Sequence, residues 1–333
     1  MKTPWRTFFR QNRGRMIAAV ALVLFVAYAY NRNAQITEAV LASSLRQSIP
    51  LILGALCGLI GERSGIINIG IEGQMLMAAF VSFLVNVKTG SLILATIAGV
   101  LMGALMGWAL AFMSVTLRID QIIGGTVLNM IAFGLTGYFY QVGLATKGKF
   151  QPIAIPLLSK IPIIGPVFFQ NPPLTYLTLV LIFVVHFFLY YTRWGLRTRA
   201  VGEHPRAADT LGIDVYRMRY MNVTLAGMLA GLAGAYLTLE AVGSFERMMT
   251  NGRGFVALAV MIFGKWDPLS AWGAALLFGF ATALQTQLQF MGALQIPHQF
   301  IGMLPYLLTI IVLAGVGGRT RPPAAVGQPY VKE

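Results

Sequence analysis

The run SLILATIAGVLMGALMGWALAFMSVT, residues 91–116, contains no charged side chain. A bilayer-spanning helix needs about 20 predominantly apolar residues, so this segment alone can cross a membrane. Ten such runs follow one another, near residues 16–30, 46–61, 66–87, 91–117, 121–145, 174–192, 220–243, 254–264, 270–289 and 300–317. A water-soluble core has no room for ten. The pattern predicts an all-α integral membrane protein of about ten transmembrane helices, folded as one unit over residues 1–333. Composition agrees: 57% of residues are hydrophobic and 11% charged, against roughly 25% charged in soluble domains. The first, second and eighth runs are short. They are expected to extend into their flanks or to be broken or re-entrant, since non-helical backbone at membrane depth is tolerated against protein or a water-filled cavity. The basic start and first run resemble a signal peptide, but AYAYNRNAQ is a poor cleavage site and the helix is expected to be retained.

The formal net charge of +14 would suggest nucleic acid for a soluble chain. Here most Lys and Arg fall in segments that share one side if the N-terminus is cytoplasmic, which is the orientation that positive charge favours. An even number of spans then places the C-terminus on the same side. Residues 1–15 become a cytoplasmic N-terminal segment, 193–219 a cytoplasmic loop and 318–333 a cytoplasmic tail, expected to be disordered. The proline-rich loop Thr146–Pro173 reads as a cap over the outer mouth. Gly99, Gly103 and Gly107, Gly54 and Gly58, and Gly227 and Gly231 form small-residue faces where helices approach closely, within the chain rather than between chains.

One polar stretch interrupts the apolar pattern: GERSGIINIGIEGQ, residues 61–74. Glu62 and Arg63 fall at the inner end of the second run. Gly65 and Gly70 weaken any helix between them. Asn68 and Glu72, four apart, share a face if that piece is helical. Glu72 lies inside the third run, where an ionisable group costs about 2.5–3.5 kcal/mol. It must meet a polar cavity or a hydrogen-bonding partner; capping a broken helix and touching a solute both satisfy that demand. Glu240, late in the seventh run, poses the same choice. Gln74, Asn129, Phe245 and Phe255 complete a candidate translocation pathway, and Phe245, Phe255 and Trp266 could stack a planar ligand or simply face lipid. SFERMMTNGRGFVALAVMIFG, like GERSGIINIGIEGQMLMAAF, combines glycines and charges before an apolar run. Two broken segments in opposite halves suggest an inverted repeat with a pathway where they meet.

No catalytic signature is present, and no phosphate-cradling loop of the G-x-x-x-x-G-K-[ST] type. Cys57 is the one cysteine, and His186, His204 and His298 are scattered, so no metal site is expected. Work against a gradient must therefore draw on an ion or on another subunit. The loop 193–219 is the candidate lever. Pro205 suits the first turn of a helix and Gly212 its end, which predicts a helix of about two turns.

Together GERSGIINIGIEGQMLMAAF, RAVGEHPRAADTLGIDV and NGRGFVALAVMIFGKWDPLSA closely resemble the permease subunits of ATP-binding-cassette importers of the branched-chain amino-acid and simple-sugar type, and within them the nucleoside permeases. The resemblance covers about Leu45–Gly318. It implies a type II-like importer fold with a second permease, usually a different polypeptide. It implies a cytosolic ATPase that carries ATP and magnesium, so that this chain binds no cofactor and catalyses nothing. It further implies an external substrate-binding lipoprotein and a place in the bacterial cytoplasmic (inner) membrane. By the same resemblance Gly202, Glu203, Arg206, Ala207, Ala208, Leu211 and Gly212 would be coupling-loop residues. A simple sugar or a branched-chain amino acid is the alternative cargo. An ion-coupled secondary transporter using Glu72 and Glu240 is the alternative of another class.

Overall fold

In the computed structural model, residues 26–291 and 321–332 are described, with isolated positions between 300 and 310. Three helices form an inner layer: α1 (Ala34–Arg63), α2 (Ile71–Thr89) and α9 (Val215–Tyr236). Between α2 and α9 the chain forms α3 (Leu92–Ala111), α4 (Gln121–Phe139), the short α5 (Ile164–Phe168), α6 (Pro173–Tyr191), α7 (Arg193–Glu203) and α8 (Pro205–Thr210). After α9 come α10 (Arg253–Phe263) and α11 (Pro268–Met291). Two-residue strands, β1 (Ile153–Ala154) and β2 (Gln170–Asn171), pair antiparallel within the long loop.

Seven helices among the described residues are long and apolar enough to cross a bilayer. Their apolar windows separate into two layers: 72, 72 and 78% of residues are buried in α1, α2 and extended α9, against 28–33% in the other four. The outer helices turn rows of large apolar side chains outward, such as Ile93, Ile97, Leu101, Leu105 and Trp108 of α3. At this spacing they form one face, the face such a helix offers to lipid. α3 and α9 pack through their glycines. A Cβ on Gly103 would lie 2.3 Å from the Gly227 carbonyl oxygen and 2.5 Å from the Gly231 Cα, so only glycine permits this contact.

The expected runs at 66–87, 91–117, 121–145, 174–192, 220–243 and 270–289 coincide with helices, with shifted ends. The run at 121–145 stops at Phe139, ahead of a turn with Gly143 at φ +91°. That at 254–264 matches α10, eleven residues and about 16 Å long, too short to cross. The first and tenth runs lie mostly outside the described residues. The run at 46–61 extends into its flank, as its shortness suggested: its helix starts twelve positions earlier, at Ala34. The polar residues that hid this start have protein partners or line a cavity. Glu38 accepts from the Ile163 N–H at 3.3 Å, and Ser43, Arg46 and Gln47 line the cavity described below. Pro50 lies inside α1 and leaves the Arg46 carbonyl without its helical donor. The Tyr236 hydroxyl of α9 donates to that carbonyl at 2.8 Å, and the helix continues.

Candidate functional site

Three apolar helices begin without a side-chain cap of their own. The positions before them are Gly70 for α2, Pro172 for α6 and Gly252 for α10. The first turn of a helix leaves N–H groups unsatisfied, and lipid supplies no acceptor. In each case a distant residue does. Asn129 of α4 accepts from the Gly73 N–H of α2 at 2.7 Å and donates to the Ile69 carbonyl at 3.1 Å. Glu72 of α2 accepts from the Gly252 and Gly254 N–H groups of α10 at 2.8 and 2.6 Å. Glu240 accepts from the Leu174 and Thr175 N–H groups of α6 at 2.8 and 3.1 Å, and from the Thr175 hydroxyl. Glu240 belongs to a π-helical segment, Leu237–Val242, that continues α9 and closes at Gly243 with φ +87°. Each carboxylate faces the positive end of a helix dipole, where negative charge is stabilised.

The two broken segments therefore meet at Glu72. α2 begins only at Ile71, after a non-helical stretch, and Ile71 packs at the level of Gly54 and Gly58, in the last third of α1. α10 begins beside it and runs alongside α1, with Ala257 facing Gly54 and Met261 facing Gly58. Residues 61–74 hold α10 at its other end too. The buried Glu62 accepts from the Trp266 indole N–H at 2.6 Å, and Arg63 donates to the Trp266 carbonyl at 3.0 and 3.2 Å. These bonds fix a turn in which Lys265 and Trp266 both adopt φ +54°, a conformation that costs about 1–3 kcal/mol per non-glycine residue. Trp266 is thereby buried and committed to the turn. Asn68 and Gln74 form a separate buried cluster with Cys57, the Asn68 amide donating to Gln74 at 3.1 Å and to the Cys57 sulfur at 3.4 Å.

A cavity of about 910 Å³ opens at the end of the helices where α6 starts. Arg46 and Gln47 of α1, Tyr236 and Glu240 of the α9 segment, Arg253 of α10 and Lys149 of the long loop line it. The loop 146–173 also supplies Phe150, Gln151, Pro152 and Pro172 to the wall, so it lies over this mouth. Lys149 reaches the Ala241 carbonyl at 3.0 Å, and Arg253 donates to the Met249 carbonyl at 2.9 Å. Of the candidate pathway residues, only Glu240 lines this cavity. Asn68, Gln74 and Asn129 are buried in structural bonds, and Glu72 is enclosed as the cap of α10. Phe245 is 1% exposed, inside a cluster with Phe80, Phe83 and Tyr140, while Phe255 is 46% exposed on α10. Sequence reasoning missed Arg46, Gln47 and Arg253. Ser43, Arg46, Gln47 and Pro50 share one helical face, a signal hidden because the apolar run begins only at Arg46.

At the opposite end lies the loop helix. α8 spans Pro205–Thr210, Leu211 follows it, and Gly212 takes φ +78°, as the Pro–Gly spacing predicts. Ala208 packs inward with Val201, Val215 and Met218, while Leu211 is 80% exposed. Glu203 and Arg206 are both exposed. Gly202 lies so close to α1 that a Cβ would stand 2.2 Å from the Arg63 carbonyl oxygen. The expectation of a disordered tail is overturned: residues 321–332 are laid across this end, with Pro323, Ala325 and Tyr330 buried. Prolines and small residues suggested a flexible chain, but here Ala325 and Gly327 donate to the Gly202 and Gly65 carbonyls and hold the tail in place.

The sequence profile described as "Branched-chain amino acid transport system / permease component" matches residues 40–313. The chain belongs to this permease family. The guanosine ABC transporter permease protein NupQ of Bacillus subtilis is 40% identical over 90% of this chain and 98% of its own length. The nucleoside ABC transporter permease protein NupC of Lactococcus lactis is 41% identical over 89% and 97%. TsgC13 of Haloferax volcanii, provisionally named a glucose ABC transporter permease, is 34% identical over 88% and 97%. A second Bacillus subtilis guanosine permease, NupP, is also similar, at 27% over 71% of this chain and 70% of its own. The chain is thus a multi-pass membrane permease of an ATP-binding-cassette importer, a non-catalytic transport component. Bacillus subtilis holds two guanosine permease proteins similar to this chain, which suggests a second permease beside it.

Proposed function

We propose that this chain forms half of a translocation pathway for nucleosides and moves by alternating access driven by a separate ATPase. The cavity around Glu240 is its external vestibule, and the α7–α8 end faces the cytoplasm with both termini. In this reading about ten spans make one domain over residues 1–333. The segments meeting at Glu72 are corresponding pieces of the two opposite halves of an inverted repeat. Gly202, Glu203, Arg206, Ala207, Ala208, Leu211 and Gly212 form the coupling loop to the ATPase. A second, different permease, the ATPase and an external binding lipoprotein complete a complex in the bacterial cytoplasmic membrane. ATP and magnesium are held by the ATPase.

The observation that carries the cargo assignment is the 40% and 41% identity to a guanosine and a nucleoside permease, and the helix ends bear on it second. A bare helix N-terminus beside a pathway attracts a solute carboxylate. Here the Gly252–Gly254 and Leu174–Thr175 ends are already filled by Glu72 and Glu240. The vestibule therefore offers an amino-acid carboxylate no free helix end, but its wall carries Arg46, Lys149, Arg247 and Arg253 beside Glu240 and Glu246, so the choice of a neutral solute rests on the relatives. The vestibule's volume of about 910 Å³ falls within the roughly 300–1,000 Å³ of small-molecule sites. The nucleoside names of two close relatives favour the nucleoside among neutral solutes. The test is uptake of labelled guanosine by vesicles carrying the whole complex, in competition with excess unlabelled adenosine, glucose or leucine. Competition by adenosine alone is expected. Competition by glucose or leucine, with none by adenosine, refutes the cargo assignment.

A further inference from the structure

The ordered tail joins two parts of the molecule that are far apart in sequence. Its Ala325 N–H donates to the Gly202 carbonyl at 2.9 Å, and its Ala324 N–H to the Glu203 carboxylate at 3.2 Å, both at the end of α7. Its Gly327 N–H donates to the Gly65 carbonyl at 3.2 Å, inside the non-helical stretch between α1 and α2. The Lys332 ammonium lies 3.3 Å from Asp209 of α8. The Tyr330 ring packs into the apolar cluster of Val201, Ala208, Val215 and Met218 beneath the loop helix, with its ring centroid 5.5 Å from that of Tyr216. Between these contacts lies Arg219, 1% exposed. Its Nη1 donates to the Gln328 carbonyl at 3.1 Å, while Nε and Nη2 have no hydrogen-bond partner among the described residues. Gly65 takes φ +91° and is wedged between Arg219 and the tail: a Cβ there would meet the guanidinium at 2.8 Å and the Ala325 carbonyl at 3.3 Å. A buried guanidinium is costly without acceptors, so the tail carbonyl is part of what keeps Arg219 in place.

We propose that residues 321–332 are a strut that makes α8 and the 64–70 segment move as one body, with Arg219 and Tyr330 as its positioning residues. This rests on the reading of α8 as the element the ATPase pushes. Displacement of α8 carries the tail through Tyr330 and Lys332. The tail pulls on Gly65, and Gly65 lies between Glu62–Arg63, which hold the turn after α10, and Glu72, which caps its start. The strut is thus the physical route from the loop helix to both ends of α10. A chain of packed and hydrogen-bonded groups of this kind transmits motion only as far as it stays intact.

The test uses the full complex in vesicles and reads solute imported per ATP hydrolysed. Tyr330→Ala and deletion of residues 330–333 are expected to lower that ratio at least about fivefold while ATP hydrolysis continues. Leu211→Asp, on the exposed side of the loop, is run in parallel and is expected to abolish stimulation by the ATPase. An unchanged ratio in both tail variants, with Leu211→Asp inactive, overturns the strut and leaves the coupling loop standing. Full activity of Leu211→Asp overturns the coupling-loop reading and the strut with it. If the tail variants fail to assemble, the Asp209→Cys, Lys332→Cys pair decides, bridged by a bifunctional thiol reagent that replaces the ion pair between tail and α8. Cross-linking it in the assembled complex is expected to leave transport intact, because a strut keeps these residues together throughout the cycle. Loss of transport on cross-linking overturns the proposal.

Discussion

Glu72→Gln is nearly isosteric and leaves no cavity, so it isolates the charge that caps α10. In the native protein two charge-assisted hydrogen bonds run from Gly252 and Gly254 to the carboxylate, worth about 1.5–3 kcal/mol each. The helix end adds up to about 2 kcal/mol. Against this stands the cost of holding a carboxylate in the membrane, about 2.5–3.5 kcal/mol, which the neutral amide avoids. Glutamine keeps one acceptor, but its amide nitrogen then opposes the other N–H and leaves a buried donor unpaired. The balance is a loss of about 2 kcal/mol, which lowers the melting temperature by several degrees. Thermal unfolding of the purified protein in detergent, followed by tryptophan fluorescence, reads it directly. Glu72→Asp keeps the charge but is one methylene too short to reach both groups, and is expected to lie between the two. A melting temperature for Glu72→Gln equal to or above that of the native protein refutes the reasoning, because the desolvation cost would then outweigh the bonds.

Other substitutions probe other joints. Tyr236→Phe removes the donor that replaces the helical bond lost at Pro50, and is expected to cost about 1–3 kcal/mol in the same melt. Trp266→Phe strips the buried Glu62 of its indole partner, with a similar loss. Gly103→Val forces α3 away from Gly227 and is expected to give little folded protein by size exclusion. Gly134→Val is expected to behave normally, since a Cβ there has nothing within 4 Å. Glu203→Arg removes the acceptor for the Ala324 N–H and is expected to leave membrane insertion intact while uncoupling ATP hydrolysis from transport in vesicles.

The spans were legible because lipid demands long apolar runs, and the break at 64–70 because Gly65 and Gly70 flank it. The loop helix was legible from Pro205 and Gly212, whose backbone restrictions are local. Glu72 and Glu240 were legible as residues needing partners, but not which partners, since those are backbone N–H groups with no side-chain signature. One signal was available: NGRGF and NPPLTY start apolar helices with no Ser, Thr, Asp or Asn at the cap, and the chain holds two glutamates deep in apolar runs. Uncapped starts and unpaired carboxylates can be matched in principle. The polar half of α1 was not legible, because its polar side chains face a cavity and a loop rather than lipid or bulk water. Nor was the tail, whose order comes from Arg219 and Gly65, far away in sequence.

The claim on which the account rests is that this chain is a gate moved by a partner's ATP hydrolysis. The most direct measurement is guanosine uptake into vesicles containing either the purified chain alone or the chain with its second permease, ATPase and binding lipoprotein, each with and without ATP. The account predicts uptake in the complete, ATP-supplied vesicles and in no others. Uptake by the chain alone, driven by an ion gradient through Glu72 and Glu240, would contradict it.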